Sequence, residues 1–193
     1  RGHRGRPPAQ GQADRGVFLS PIQRLWAGVQ WEHEQADYLC IILDLYARRI
    51  VGYRVSRNAS TNLVTATFRN AYQERGKPKN LTFHSDRGKQ YTSAAFTLLL
   101  QKNGVKQSFS ATGRPHDNAV AETFFATFKK EEAYRREYTS EQSFFKSVEQ
   151  YIQFYNEVRP HQTLKYQTPQ AFEEKYYASF IENGCSNSVM EWK

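Results

Sequence analysis

Between Asp14 and Glu32 this 193-residue chain carries no acidic residue, and its first 16 residues carry no Phe, Tyr, Trp or large aliphatic side chain. The second absence removes residues 1–16 from any hydrophobic core. With four arginines against one Asp they read as a flexible basic arm, drawn here to residue 21. A disordered leftover and an arm that touches phosphates non-specifically are both open readings. Cysteine is scarce: Cys40 and Cys185 lie far apart, in neither a metal-ligand spacing nor a disulfide framework, so a reducing, cytoplasmic setting is expected. No run approaches the roughly 18 apolar residues of a membrane span, and the N-terminus is Arg/Gly/Pro-rich rather than an apolar signal segment. No membrane partner is expected.

What is present can build one domain. Hydrophobic residues make up 39% of the chain and aromatics 15%, enough for a sizeable core over residues 22–178, with a weakly patterned tail at 179–193. Lys and Arg number 27 against 19 acidic residues, a net charge of +8. Such an excess favours a polyanionic partner, nucleic acid above all; a solvated basic surface without a partner is the competing reading.

Periodicity orders the elements. Ile22–Trp31 reads as a short strand, Tyr38–Leu45 as a strongly apolar one and Arg49–Val55 as an alternating one, together an antiparallel meander. Ser60 or Thr61 caps a helix with Leu63, Val64, Phe68, Ala71 and Tyr72 on one face. A strand follows over Leu81–His84. Ser93 then caps a helix closed by Gly104, and Val105–Phe109 is a brief strand. After the breaker-rich loop Ser110–Pro115, Asp117 or Asn118 opens a long helix to about Tyr134. Further helices are expected over Thr139–Asn156 and Gln170–Tyr177. Strands first, then alternating helix and strand, then helices: this is a mixed α/β layer fold.

Two carboxylates stand out. Asp86 falls in HSDRGKQYTS (84–93), just past a strand, where side chains point into a crevice. The plain alternative is a turn Asp capping Gly88. Glu122 falls in GRPHDNAVAETFFATFKKEE (113–132), among apolar neighbours, with 35 residues separating it from Asp86. Oxygen ligands of this kind suit hard divalent cations that promote attack at phosphorus. Lys129, seven residues after Glu122, shares its helix face, and Asn118, four before it, does too. A transition-metal cluster of His84, His116 and His161 with Asp86 follows no ligand spacing.

These motifs, in this order and separation, resemble the catalytic core of bacterial insertion-sequence transposases of the retroviral-integrase-like DDE type. YLCIILDLYARRIVGY (38–53) is similar to the family's second and third strands, and YNEVRPHQTLKYQTP (155–169) to its C-terminal signature. The resemblance covers roughly residues 28–175. It implies an RNase H-like fold, a five-stranded mixed sheet flanked by helices. It also implies two Asp and one Glu holding two divalent ions, Mg²⁺ or Mn²⁺, for cleavage and transfer of DNA strands. Partners would be double-stranded DNA, at transposon ends and target, and further copies of the chain. Carried over, Asp86 and Glu122 are the second and third acidic ligands. His84, Asn118, Lys129 and Arg114 become supporting or DNA-facing residues, with Gly113–Pro115 in the loop over the site.

The first acidic ligand has no counterpart. Counting back from Tyr38 aligns GVQW (28–31) with the family's first strand and puts Gly28 where the Asp belongs. Asp44 matches a non-catalytic position. Residues 1–27 also differ in flavour from the rest, as though read from another frame or fused. Two readings result: a DDE-type transposase catalytic domain, or a catalytically inactive DNA-binding transposase remnant. A nuclease of the same fold acting on RNA–DNA hybrids is disfavoured by the C-terminal signature.

Overall fold

The structure is a computed structural model that describes residues 17–19, 22–25, 37–110, 119–138 and 140–182. Its strands are β1 (Val17–Leu19), β2 (Ile22–Leu25), β3 (Asp37–Asp44), β4 (Ile50–Ser56), β5 (Thr82–Ser85) and β6 (Lys106–Phe109). Its helices are α1 (Thr61–Glu74), α2 (Lys89–Thr92), α3 (Ala94–Lys102), α4 (Ala119–Phe128), α5 (Glu141–Glu157) and α6 (Pro169–Glu182). A π-helical turn, Lys129–Ala133, extends α4, and a 3₁₀ turn, Gln162–Leu164, precedes α6.

All six strands join one mixed sheet in the order β2-β3-β1-β5-β6, with β4 on the other edge of β3. The meander β2-β3-β4 is antiparallel as expected, whereas β1 with β5 and β5 with β6 are parallel. Five strands were expected and six are found, because the first one comes in two pieces. Leu19 faces Leu43 and Ile22 faces Cys40, one uninterrupted antiparallel register along the same edge of β3. Two further expectations shift here. The basic arm drawn to residue 21 gives way to a strand at Val17, where the first bulky residues begin, and of the strand expected over Ile22–Trp31 the described part is Ile22–Leu25.

The sheet separates two apolar layers, and β3 feeds both by alternation. Leu39, Ile41 and Leu43 pack under α4 and α5 with Phe124, Phe125, Phe128, Phe144 and Tyr151. Ile42 faces the opposite layer, where Val64 and Phe68 of α1, Phe83 of β5 and Phe96 of α3 meet. The helices start where short polar side chains satisfy their free amides. Ser60 Oγ accepts from Leu63, Ser93 Oγ from Phe96, and Ser140 exchanges hydrogen bonds with Ser143. The final helix is longer than the expected Gln170–Tyr177: it starts at Pro169, a first-turn position that needs no N–H, and runs on to Glu182.

Candidate functional site

Register decides which side chains share a face. Leu19 pairs with Leu43 on one side and His84 on the other, and His84 pairs with Ser108, so these residues form one row across the sheet. Paired residues of neighbouring strands project from the same face. Leu43 belongs to the layer under α4 and α5, so His84 and Ser108 project there as well. The His84 ring spans two hydroxyls on that face, Nδ1 to Ser108 Oγ and Nε2 to Ser110 Oγ, each at 3.1 Å. It thereby ties the strand carrying Asp86 to the end of β6. Ser110 is tied a second time, its amide donating to Ser85 O at 3.0 Å.

Asp86 follows β5 directly and is exposed. Its Oδ1 accepts the Gly88 N–H at 2.8 Å, so the turn role is real. The turn leaves Oδ2 without a partner among the described residues. Glycine at 88 leaves room for these side chains: a Cβ there would lie 2.9 Å from Asp86 Oδ1 and 2.6 Å from Gln90 Nε2, so both would have to shift. The carboxylate is therefore seated in a turn that a side chain at 88 would disturb.

Glu122 lies in the first turn of α4, where a negative charge is favourable to the helix dipole. Ala121, Phe124, Phe125 and Phe128 turn inward to the core, while Glu122 itself is exposed. Its apolar neighbours, read in sequence as unusual company for a carboxylate, are simply the buried stripe of an amphipathic helix. The helix nevertheless covers the face from which His84 projects, so Glu122 belongs to the same side of the sheet. Lys129 is half-buried where the α-helix gives way to the π turn, and Lys130 is exposed. The expected single helix to Tyr134 is thus interrupted. Gly28, Arg114 and Asn118, together with Gly113–Pro115 and His116, lie outside the described residues.

Asp44 and His161 have structural employment. Asp44 Oδ1 accepts from Tyr46 N at 2.8 Å, and burial pushes its carboxyl above the usual range despite that bond and the nearby Arg75. His161 stacks edge-on against Tyr155, and burial pushes its imidazole down, toward the neutral form. Among the described residues no group of three or more His, Cys, Asp or Glu side chains is placed to hold a metal.

The C-terminal signature conceals a clamp that its letters did not disclose. Asn156 Oδ1 accepts from Ile50 N and its Nδ2 donates to Ile50 O, both at 2.9 Å. Arg159 grips Glu131 of the π turn through Nε and Nη2, and Tyr151 donates to the same carboxylate. Glu132, the next residue, accepts from Ser147 at 2.6 Å. The π turn thus lets two consecutive glutamates reach α5 and the arginine just beyond its C-terminal end. Farther along, Glu173 of α6 receives both Arg49 and Arg75. The one available signal for this was the spacing of polar residues against apolar ones in 155–161, which says nothing of distant partners.

As a divalent-ion site the donor set fits in kind and falls short in number. Asp86 and Glu122 offer hard oxygens, but two metal ions require more carboxylate charge than this pair supplies. The described strands beside β5 and β3, Val17–Leu19 and Ile22–Leu25, add no acid.

Comparison with known proteins places this geometry. Two integrase core domain family models match, one over residues 27–115 and one over 103–169. The transposase for insertion sequence element IS904 of Lactococcus lactis is 34% identical over 141 residues, 71% of this chain and 54% of its own length. Transposase InsF for insertion sequence IS3A of Escherichia coli K12 is 30% identical over 179 residues, 90% of this chain and 62% of its own length. The chain thus spans between half and two thirds of these relatives. The InsF similarity covers more of this chain than the residues from Gly28 onward could supply, so likeness reaches upstream of that position to include Ile22–Leu25, against the expectation that residues 1–27 come from another frame or a fusion. Among solved structures, the catalytic core of HTLV-2 integrase in complex with magnesium superposes with a TM-score of 0.56 at 10% identity, covering 81% of this chain and 94% of that one. The catalytic core of BIV integrase does so at 0.56 and 13%, covering 85% and 97%. These likenesses establish an RNase H-like fold.

Proposed function

Because the chain belongs to the integrase core domain family, we propose that it is the catalytic-core portion of an insertion-sequence transposase, acting in DNA strand cleavage and transfer. The observation that carries this reading is the register that sends His84 to the face covered by α4, with Asp86 at the end of the same strand and Glu122 on that helix. In this reading Asp86 and Glu122 are metal ligands for Mg²⁺ or Mn²⁺. Such ions supply charge stabilisation at phosphorus and an activated oxygen nucleophile. The substrate is double-stranded DNA at element ends and target, bound by more than one copy of the chain in the cytoplasm. His84 holds the Ser108–Ser110 edge in place, and Lys129, Arg114 and Asn118 serve as DNA-facing or supporting groups.

A second reading has a specific observation in its favour. No acid occurs from Arg15 to Trp31, a span that includes β1 and β2. A family member without its first carboxylate would hold DNA and not cut it. Gly28 is the place that counting back from Tyr38 gives that ligand, whereas the strand that pairs with β5 is Val17–Leu19, upstream of it.

Incubating the chain with supercoiled plasmid and with short duplexes, in Mg²⁺ or Mn²⁺, separates the two readings. Nicking or strand transfer that disappears in Asp86→Asn and Glu122→Gln supports the enzyme. Duplex binding without any metal-dependent product supports the inactive remnant. Activity that persists in both variants defeats the assignment of these carboxylates.

A further inference from the structure

We infer that Arg87, seated over the ring of Phe109, is a phosphate-binding residue at the end of the β5–β6 edge, on the flank opposite the carboxylate face. The inference rests on the proposed action on DNA and adds a residue to which the motif comparison assigned no role.

Arg87 is exposed, and its guanidinium carbon stands 5.9 Å from the centroid of the Phe109 ring. Phe109 ends β6, pairs with Ser85, and packs half-buried against the α1/α3 core. The ring is thus a fixed platform. Arg49, Arg57, Arg75, Arg136 and Arg159 each meet a carboxylate. Among the described residues Arg87, like Arg48, Arg54, Arg69 and Arg135, meets no carboxylate, although Asp86 precedes it directly with Oδ1 turned back to the amide of Gly88. Asp86 is engaged by the turn and Arg87 by the Phe109 ring, so the two adjacent charges do not pair with each other among the described residues.

An aromatic ring engages the flat face of a guanidinium, leaving the in-plane N–H groups free. Those groups form the fork that matches two oxygens of a phosphate, and stacking reduces the side-chain freedom lost on binding. A lysine would supply the charge without the platform. The ligand class is therefore the phosphodiester backbone of DNA, contacted without reading its sequence. Phe109 lies on the Ser85 side of the strand, whereas His84 points to the other face. A DNA strand crossing the end of this edge would touch Arg87 on one flank and pass the carboxylates on the other.

The test is binding of a fluorescein-labelled duplex to the full chain in EDTA, across a salt series, so that no metal chemistry enters. Arg87→Ala should weaken binding by about fivefold to tenfold and reduce the slope of log K against log salt by about one contact. Arg87→Lys should fall between. Phe109→Leu should weaken binding in the unmodified background and add little to Arg87→Ala. Arg54→Ala, removing an equal charge from an exposed position on the far edge strand, sets the effect of net charge alone. Binding by Arg87→Ala that matches Arg54→Ala overturns the inference and leaves the proposed function standing. No duplex binding by the unmodified chain overturns both.

Discussion

Asn156 closes both ends of its amide on the backbone of Ile50, across 106 residues of sequence and at 2.9 Å each way. The contact pins α5 to the start of β4, where a strand edge would otherwise bury an unpaired N–H and C=O. Asn156→Ala should cost about 2–4 kcal/mol, since each stranded buried group costs roughly 1–3. Asn156→Asp keeps the volume but sets an oxygen against Ile50 O, and should cost no less. Urea unfolding with an unchanged m-value is the measurement; a loss below about 1 kcal/mol would show that water replaces the amide.

Gly52 tells the same story on the other face of the sheet. A Cβ there would meet the Ala71 Cβ of α1 at 2.7 Å and Thr67 O at 3.4 Å. Gly52→Ala should therefore destabilise by about 1–3 kcal/mol through overpacking. Adding Ala71→Gly should recover part of that loss despite its own helix penalty. Thermal melts of the two single variants and the double variant would read the coupling, and strict additivity would refute the close approach.

Acid should loosen the ionic clamp on α6. Burial of Glu173 pushes its carboxyl up, but the hydrogen bonds and charges of Arg75 and Arg49 outweigh this and hold it below the ordinary value of 4.5. A carboxylate depressed in the folded state contributes stability that is present above its unfolded pKa and lost as the pH falls through the folded one. Glu131, lowered by its hydrogen bond from Arg159, works in the same direction. Asp44, raised by burial, works in the opposite one. Stability should thus decline as pH drops from about 4.5, and Glu173→Gln should flatten that decline. The variant's loss at neutral pH should stay below the ~3–5 kcal/mol of a fully buried broken pair, because both arginines reach solvent.

Metal binding itself can be read without catalysis. Mn²⁺ titration followed by electron paramagnetic resonance should show weak uptake by the unmodified chain. Asp86→Asn or Glu122→Gln alone should weaken it about tenfold or more, with little further loss in the double variant, if both carboxylates hold one ion. Equal uptake by the double variant would remove these residues from any metal site.

Much of the fold was legible in the chain because its signals are local. Ser60 and Ser93 announced their helices, the apolar run 38–45 announced β3, and alternation in 49–55 announced β4. The two carboxylates stand out through motif and spacing, and strand register sends His84, two residues before Asp86, to the face that α4 covers. The rest depended on partners far away in sequence. Nothing in 155–161 says that Asn156 will seek Ile50, or Arg159 will seek Glu131, because a side-chain hydrogen bond leaves no period. Glu122 misled for the opposite reason: its apolar neighbours were read as its environment, when helical geometry turns them inward and leaves Glu122 outside. The first strand was placed too far downstream because Val17–Leu19 is only three residues long, too short for any period to register.

That short strand carries a disproportionate share of the architecture. In the order β2-β3-β1-β5-β6, β1 alone joins the local meander to the parallel pair. It does so by matching Val17 with Thr82, 65 positions away. Each half can assemble from nearby contacts, but their union waits for a loop of that length to close, an entropic step that sets pace rather than stability. β1 is therefore the keystone between the two halves of the sheet. Val17 can meet Thr82 only once the 65 positions that separate them have been made, whereas Leu19 meets Leu43 far sooner.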